Sequence, residues 1–146
     1  MDDIAPENSC MQRAKGKIVV SMANHKIKQL YQSGAAKVLL PRTYGSMPEA
    51  VLVNTAGGIT GGDRFSYQVA TENSELVVTT QAAERAYRSA SETASLSAKL
   101  TARNGSALHW LPQETILFDG CSLRRNVEVD IDASSECLML EALTYG

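Results

Sequence analysis

Hydrophobic and polar residues alternate along much of this chain. The clearest alternation runs from Ser95 to Arg103, where the apolar positions are Leu96, Ala98, Leu100 and Ala102. A period of two is typical of a strand that buries one face. Comparable runs, alternating or continuously apolar, lie at 17–22, 36–40, 50–53, 65–70, 75–80, 107–111, 115–118, 124–132 and 135–143. About nine or ten strands in so short a chain predict an all-β fold.

Two segments depart from this texture. Residues 81–89 are rich in alanine with Gln, Glu and Arg, which favours a helix of about two turns. Residues 25–31 are ambiguous between a strand and a short helix. The sequence therefore predicts a mainly β chain with one or two short helices.

The turn signals suggest how the strands connect. Asn104-Gly105 is the strongest of them and predicts a hairpin over residues 95–111. Short turns between short strands leave a sandwich, a barrel and a stacked β-solenoid open. The absence of a fixed-length repeat counts mildly against a regular solenoid.

A glycine-rich segment, residues 54–64, lies between two strand-like runs. Four glycines fall within six positions, namely Gly57, Gly58, Gly61 and Gly62. The paired glycines predict a backbone that bends twice through positive φ. A Walker loop would need a lysine where this segment has Asp63, and a dinucleotide fingerprint would open a helix. A β-turn or β-arch remains, or an interaction surface oriented by Asp63 and Arg64.

Composition narrows the class of protein. The chain has 146 residues, of which 44% are hydrophobic and 21% charged, and its net charge is -2. These values fit one globular domain and give no argument for nucleic acid or an anionic membrane as a partner. No apolar run reaches the roughly 18 residues of a membrane helix, and no secretory signal is visible, so we expect a cytoplasmic protein. Residues 1–14 read as a flexible leader before a domain at 15–146, and the apolar end of the chain suggests an interrupted sheet.

Few residues suggest chemistry of their own. Three cysteines and two distant histidines predict neither a disulfide framework nor a self-contained transition-metal site. No nucleophile motif is present, which disfavours a hydrolase. Glu114, close to Pro112, suggests a bulge or the edge of a ligand site. Glu141 lies in the most apolar run, where an acid requires a partner or a polar channel.

Three segments in series resemble one family. Residues 54–63 (NTAGGITGGD), 79–89 (TTQAAERAYRS) and 108–118 (LHWLPQETILF) are similar to segments of the urease accessory protein UreD, also called UreH. Arg85 stands where that family usually has lysine. Residues 141–146 resemble the start of a further family segment, and the resemblance implies that the C-terminal half of the family is absent from this chain.

The resemblance implies a non-enzymatic metallochaperone with strands stacked in a β-helical arrangement. Such a protein binds the urease apoprotein and UreF, joins the GTPase UreG through UreF, and passes nickel through a polar tunnel. It implies no tightly bound cofactor, only nickel in transit, for which Asp63 and Glu141 are candidate transient ligands. The further candidates for the tunnel or the partner surface are Gly57, Gly58, Gly61, Gly62, Arg64, Tyr87, Arg88, Gln113 and Glu114.

Two other classes stay open. An all-β binding domain unrelated to urease would have no effect on urease maturation. An enzyme built on a β-solenoid would bring several carboxylates together in a groove.

Overall fold

The computed structural model describes residues 11–44 and 46–146, and within them the chain forms thirteen strands and no helix. The all-β prediction is therefore confirmed, and none of the described residues belongs to a helix that could cross a membrane. The strands are β1 (Lys15–Ala23), β2 (Lys26–Gly34), β3 (Ala36–Leu39), β4 (Glu49–Asn54), β5 (Arg64–Glu72), β6 (Glu75–Thr80), β7 (Glu84–Ala86), β8 (Ala94–Arg103), β9 (Ala107–Trp110), β10 (Thr115–Leu117), β11 (Leu123–Ile131), β12 (Glu136–Met139) and β13 (Leu143–Tyr145).

The strands wind around one core as three sheets. The first sheet has the order β11-β8-β5-β1-β2, the second β12-β9-β6-β4-β3, and the third β13-β10-β7. Neighbouring strands are parallel except in the pairs β1–β2 and β3–β4. From β5 onward each coil gives one strand to each sheet, so that β5–β6–β7, β8–β9–β10 and β11–β12–β13 stack on one another. The stacked, β-helical arrangement is thus confirmed.

The coils differ in length, which explains why the sequence shows no fixed repeat. In the first sheet Tyr67 pairs with Ala98 and Ala98 with Val127, steps of 31 and 29 residues. In the third sheet Thr115 pairs with Glu84 and Leu143, steps of 31 and 28 residues. Loops at the corners absorb the difference, since only the paired strands must stay in register.

The core lies between the inner faces of the first two sheets. The alternation predicted for residues 95–103 is confirmed, because the apolar side chains of β8 all point inward and are buried. Fully buried side chains of the two sheets include Ile18, Val20, Leu100, Leu52, Leu76, Leu108 and Trp110. Burial of this apolar surface is the main force that holds the stacked coils together.

The predicted hairpin over residues 95–111 is wrong. Asn104 and Gly105 do turn the chain, with φ of 57° and 71°, but β9 joins the second sheet while β8 belongs to the first. Both edges of β8 are already occupied by β5 and β11, so β9 cannot pair with it. The turn is a corner between two sheets.

Asparagines form a column at this corner. Asn24, Asn73 and Asn104 all have positive φ, and the Asn73 amide donates to the Asn24 side-chain oxygen over 2.9 Å. Asparagine tolerates this conformation better than other non-glycine residues. The column lets successive coils turn at the same point.

The predicted helix at residues 81–89 is also wrong. Its centre is the short strand β7, and the Glu84 amide donates to the Glu114 carbonyl of the next coil over 2.9 Å. Hydrogen bonds to neighbouring coils thus replace those of a helix and override the helix propensity of the alanines. The ambiguous segment at residues 25–31 is extended and lies mostly in β2.

Candidate functional site

The three segments singled out in the sequence lie side by side on successive coils. The Ile59 amide donates to the Arg85 carbonyl, and the Tyr87 amide donates to the Ile59 carbonyl, each over 2.8 Å. One coil further, the Phe118 amide donates to the Ala86 carbonyl over 3.1 Å. Segments about 30 residues apart in sequence therefore form one continuous surface beside the third sheet.

The glycine-rich segment is an arch between the second and first sheets. We call residues 55–63 the glycine arch. Three of its four glycines have positive φ: 78° at Gly57, 156° at Gly58 and 87° at Gly62. The Asn54 side chain holds its start, accepting from the Ala56 amide and donating to the Gly58 carbonyl. Of the interpretations of this segment, the structure shows the β-arch and not a phosphate loop.

Close packing explains two of the glycines. A Cβ at Gly58 would overlap the Tyr87 ring, and a Cβ at Gly61 would overlap the carbonyl oxygen of Glu92 and the Ser89 hydroxyl. Gly57, by contrast, has no other atom within 4 Å of such a Cβ. The arch is thus shaped by close approach at some glycines and by backbone conformation at others.

Asp63 closes the arch. Its side chain is buried, and its two oxygens accept from the Ala14 amide at 2.8 Å and from the Thr60 amide at 2.9 Å. These bonds tie the residues before β1 to the arch, and the Arg13 side chain pairs nearby with Glu92 at 3.0 Å. The predicted leader otherwise falls mostly on residues 1–10, outside the described residues.

The other predicted residues of the third-sheet surface lie near its outside. The Tyr87 ring stacks on Phe118 with the centroids 5.4 Å apart and the planes at 13°. Arg88 forms an ion pair with Asp119 in which both side chains are exposed. The side chain of Arg64, the first residue of β5, is likewise exposed. The side chains of Tyr87, Arg88 and Arg64 therefore lie on the outside of the stack and not in its interior.

Gln113 and Glu114 join two coils through their backbone. The Gln113 amide donates to the Thr80 hydroxyl over 3.0 Å, and the Glu114 carbonyl accepts from Glu84. Gln113 is exposed and Glu114 is half-buried. Gln113 also lines a cavity of about 120 Å³.

A group of polar side chains lies inside the stack where the three sheets meet. We call Asn54, Tyr67, Glu84, Trp110, Arg125 and Glu141 the polar interior cluster. Of these, the sequence singled out Glu141 as a candidate site residue.

Arg125 and Glu141 form the centre of the cluster. The guanidinium donates to both carboxylate oxygens, with distances of 2.7 Å from Nε and 2.9 Å from Nη2. The Trp110 indole donates to the same carboxylate over 2.7 Å. The side chains of Arg125 and Glu141 are only 17% and 24% exposed, so this bidentate pair is shielded from solvent.

Glu84 lies on the inward side of β7. Its Oε1 accepts from the Asn54 side chain over 3.1 Å. Burial raises the pKa of the Glu84 carboxyl above its ordinary value, against the opposing effects of the Asn54 and Arg85 hydrogen bonds and the Arg125 charge. Burial, reinforced by the negative charge of Glu84, also raises the pKa of the Tyr67 hydroxyl.

Glu141 has the opposite balance. Burial by itself raises the pKa of Glu141, but the hydrogen bonds from Arg125 and Trp110 and the Arg125 charge outweigh it and leave the pKa below its ordinary value. The pKa values of the two carboxyls beside Arg125 are therefore shifted in opposite directions. Glu84 holds its proton more tightly than an ordinary carboxyl, and Glu141 is stabilised in its ionised form.

Two cavities meet at the cluster. One, of about 120 Å³, is lined by Asn54, Tyr67 and Glu84 together with part of the glycine arch. The other, a more open groove of about 440 Å³, includes Glu141 and the apolar side chains of β11 and β13. Arg125 and Thr115 line both, so they form the boundary between the two spaces.

The cluster offers oxygen ligands without a closed metal cage. Across residues 11–44 and 46–146, no three His, Cys, Asp or Glu side chains come together as a metal site. Carboxylate oxygens bind divalent cations, but one carboxylate at a time, beside an arginine, binds them weakly. The arrangement suits brief contact with a cation better than storage of one.

Sequence reasoning missed Glu84 and Arg125 for identifiable reasons. Glu84 lay in the segment read as a helix. Arg125 shares the alternation of Val127, Val129 and Ile131, and its register partner Leu96 is buried. Strand parity was the signal that would have placed Arg125 inside.

Replacing Glu84 with glutamine tests the raised pKa. A carboxyl whose pKa is higher in the folded chain binds its proton more tightly there, so stability falls as pH rises from the unfolded pKa through the folded one. We expect Glu84→Gln to remove this loss, so that the variant gains stability relative to wild type as the pH rises above the ordinary carboxyl pKa of 4.5. Urea unfolding across this range measures the difference. Glu75→Gln, at an exposed position on β6, is the control, and equal pH profiles for wild type and Glu84→Gln would contradict the assignment.

Fold and site together define a protein of stacked parallel strands that holds the polar interior cluster where its three sheets meet. Residues 12–146 match the family described as UreD urease accessory protein. The chain belongs to the UreD urease accessory protein family.

Individual relatives agree with this assignment. Proteins named "Urease accessory protein UreD" from Jannaschia sp. (strain CCS1) and Agrobacterium fabrum (strain C58) are 47% and 46% identical over 135 and 137 residues. These matches cover 92% of this chain and 51% and 48% of the relatives. The relative of that name from Paracoccus denitrificans (strain Pd 1222) is 43% identical over 146 residues, covering 99% of this chain and 52% of its own length. The chain thus spans about half the length of the curated relatives it matches. Their names describe accessory proteins, and family membership counts against a domain unrelated to urease.

Proposed function

We propose that this chain is the part of a urease accessory protein that helps to insert nickel into the urease apoprotein. Family membership and the names of the relatives support a role in urease maturation. The role is that of a metallochaperone scaffold and involves no chemical turnover. We expect the protein to act in the cytoplasm, with neither nucleic acid nor a membrane as a partner.

The observation that carries this proposal is the polar interior cluster. A stack of β-coils buries apolar side chains on its inner faces, and a charged group there is costly unless it has a use or a partner. Here two carboxyls, Glu84 and Glu141, flank Arg125 where two cavities meet. The polar interior cluster supports the passage of a divalent cation through the inside of the stack.

The charge balance of the cluster suits a transit path. Nickel accepts carboxylate oxygens as ligands, and a path must release what it binds. Arg125 already neutralises Glu141, so an arriving cation competes with the guanidinium and is held weakly. A proton and a cation compete for the Glu84 carboxylate, because the carboxyl must lose its proton before it can bind the cation. Nickel is therefore the cargo of the protein, with no resident cofactor.

The partners proposed are those that the resemblance implies. The urease apoprotein receives the nickel, UreF binds the scaffold, and UreG acts through UreF. The third-sheet surface with Tyr87 and Arg88 supports binding of a protein, because it combines an exposed aromatic ring with exposed charge.

Complementation tests the function. Cells with a urease operon but no UreD gene receive either this chain or this chain extended by a family C-terminal half. We expect nickel-dependent urease activity with the extended chain. If both proteins accumulate in cells and neither restores activity, the proposal is wrong.

Variants of the extended chain test the path. We expect Glu84→Gln and Glu141→Gln each to lower nickel activation by about tenfold, the size seen when groups around a metal are altered. Glu75→Gln serves as the surface control. Pull-down of the apoprotein shows whether assembly is intact, and full activation by both variants would remove the cluster from the path.

Asp63 remains a separate prediction. Both of its oxygens already accept backbone amides, so the geometry favours a structural role. Asp63→Ala with normal assembly and normal nickel activation would exclude it as a ligand.

A further inference from the structure

Among the described residues, the strand β2 is the free edge of the first sheet, and it is longer than the edge strand β3 of the second sheet. It is nine residues long and pairs with β1 on one side only. The corresponding edge strand of the second sheet, β3, has only four residues. Within residues 11–44 and 46–146, no strand covers most of β2, and residues 26–32 are all exposed.

Apolar side chains lie on this uncovered strand. Leu30 pairs with Val20 and Ile27 with Met22, so both lie on the face of the sheet that is buried one strand further in. They are nevertheless 49% and 50% exposed. Uncovered core-side residues at a strand edge are typical of a surface that another protein completes.

The opposite face of β2 is polar and basic. Tyr31 is 48% exposed, and the Lys17 ammonium lies 6.0 Å from the centroid of its ring. This aromatic ring and lysine can contact a partner side chain that carries a negative charge.

In the stretch of chain that includes β2, the charged side chains are all positive. Residues 8–48 contain seven Lys and Arg and no Asp or Glu, although the whole chain has more acids than bases. Five exposed lysines lie on the first three strands: Lys15, Lys17, Lys26, Lys28 and Lys37. Lysine on an edge strand protects against aggregation, but protection does not require that Ile27 and Leu30 be left half exposed beside it.

We propose that β2 is a docking edge that binds an extended segment of a partner protein by strand addition. The segment alternates apolar and acidic side chains. Its backbone pairs with the free edge of β2, its apolar side chains cover Ile27 and Leu30, and its carboxylates face the lysines. The inference rests on the proposed function, because the partner is one of the proteins of urease maturation.

A protein segment fits this edge better than a nucleic acid. Phosphate groups would satisfy the lysines but would leave Ile27 and Leu30 uncovered. A strand with alternating side chains satisfies both faces of β2 at once, since successive side chains point to opposite sides.

Hydrogen exchange tests the proposal with this chain, purified UreF and purified urease apoprotein. We expect the amides of residues 26–34 that point away from β1, roughly every second one, to exchange at least about tenfold more slowly in the complex with one of the two, because strand addition gives these amides new partners. Protection by an RNA oligomer without protection by either protein would overturn the proposal in favour of a nucleic acid.

Charge reversal supplies the second measurement. We expect Lys26→Glu with Lys28→Glu to weaken the complex about tenfold and to reduce its sensitivity to salt. The matched control, Lys99→Glu with Arg124→Glu, reverses two exposed charges on β8 and β11 and is expected to leave affinity unchanged.

The outcomes separate the two proposals. If a complex forms while β2 exchanges as in the free chain and the double reversal has no effect, the docking edge is wrong and the proposed function stands. If neither UreF nor the apoprotein binds this chain or the extended chain, the proposed function fails and the docking edge fails with it.

Discussion

Trp110→Ala is expected to lower the free energy of unfolding by about 3–5 kcal/mol, the range for deleting a large buried aromatic side chain. Trp110 is 1% exposed and lies on the inner face of β9, between β6 and β12 in the second sheet. Its removal leaves a cavity that the paired strands on either side cannot close. Urea unfolding followed by far-ultraviolet circular dichroism measures the change, because Trp110 is the chain's single tryptophan and fluorescence would be lost with it.

Trp110→Phe separates packing from hydrogen bonding. Phenylalanine keeps most of the apolar volume but has no N–H for the Glu141 carboxylate, which then depends on Arg125 alone. We expect a loss of about 1–3 kcal/mol, the cost of a hydrogen bond to a charged, shielded group together with a small cavity. If Trp110→Ala costs no more than Trp110→Phe, the side chain is not part of the core packing described here.

Gly61→Ala is expected to cost about 2–3 kcal/mol through overpacking. The new methyl group would overlap the carbonyl oxygen of Glu92 and the side chain of Ser89, so the glycine arch or the loop before β8 must shift. Gly61 does not have positive φ, so backbone strain does not contribute. Urea unfolding of purified protein gives the difference.

Gly57→Ala is the matched control in the same arch. Its φ of 78° gives alanine a backbone penalty of about 1 kcal/mol, but no other atom lies within 4 Å of the added methyl group. We therefore expect Gly61→Ala to be the more destabilising of the two. The reverse order would mean that backbone conformation, and not close approach, determines the shape of the arch.

The sequence was sufficient for features that depend on local alternation. Leu96 and Leu100 are buried where period two placed them, and the arch bends through positive φ at Gly57 and Gly62. Each of these features is determined by the conformation or burial of neighbouring residues, which a single segment carries in full.

Features that depend on pairing between residues far apart in the chain could not be predicted from the sequence. Asn104-Gly105 turns the chain whether or not the next strand pairs with the last, so the turn cannot reveal a corner between sheets. The segment around Glu84 has the composition of a helix, and only its bonds to the coils on either side make it a strand. The sequence indicates that Glu141 needs a partner, but it does not identify Arg125 as that partner, because the pairing depends on how the corners fold.

The parallel stacking of unequal coils has a consequence for how the chain reaches its structure. Apart from β1–β2 and β3–β4, its ladders join residues that are 28 or more positions apart in the chain, as in Glu49 with Val77 and Lys15 with Arg64. Closing such long loops costs entropy before contacts are gained, which makes folding slow and sequential. Wherever a first coil forms, its exposed edge is the template on which a neighbouring coil can close. A coil that fails to close therefore stops the growth of the stack without undoing the layers already formed.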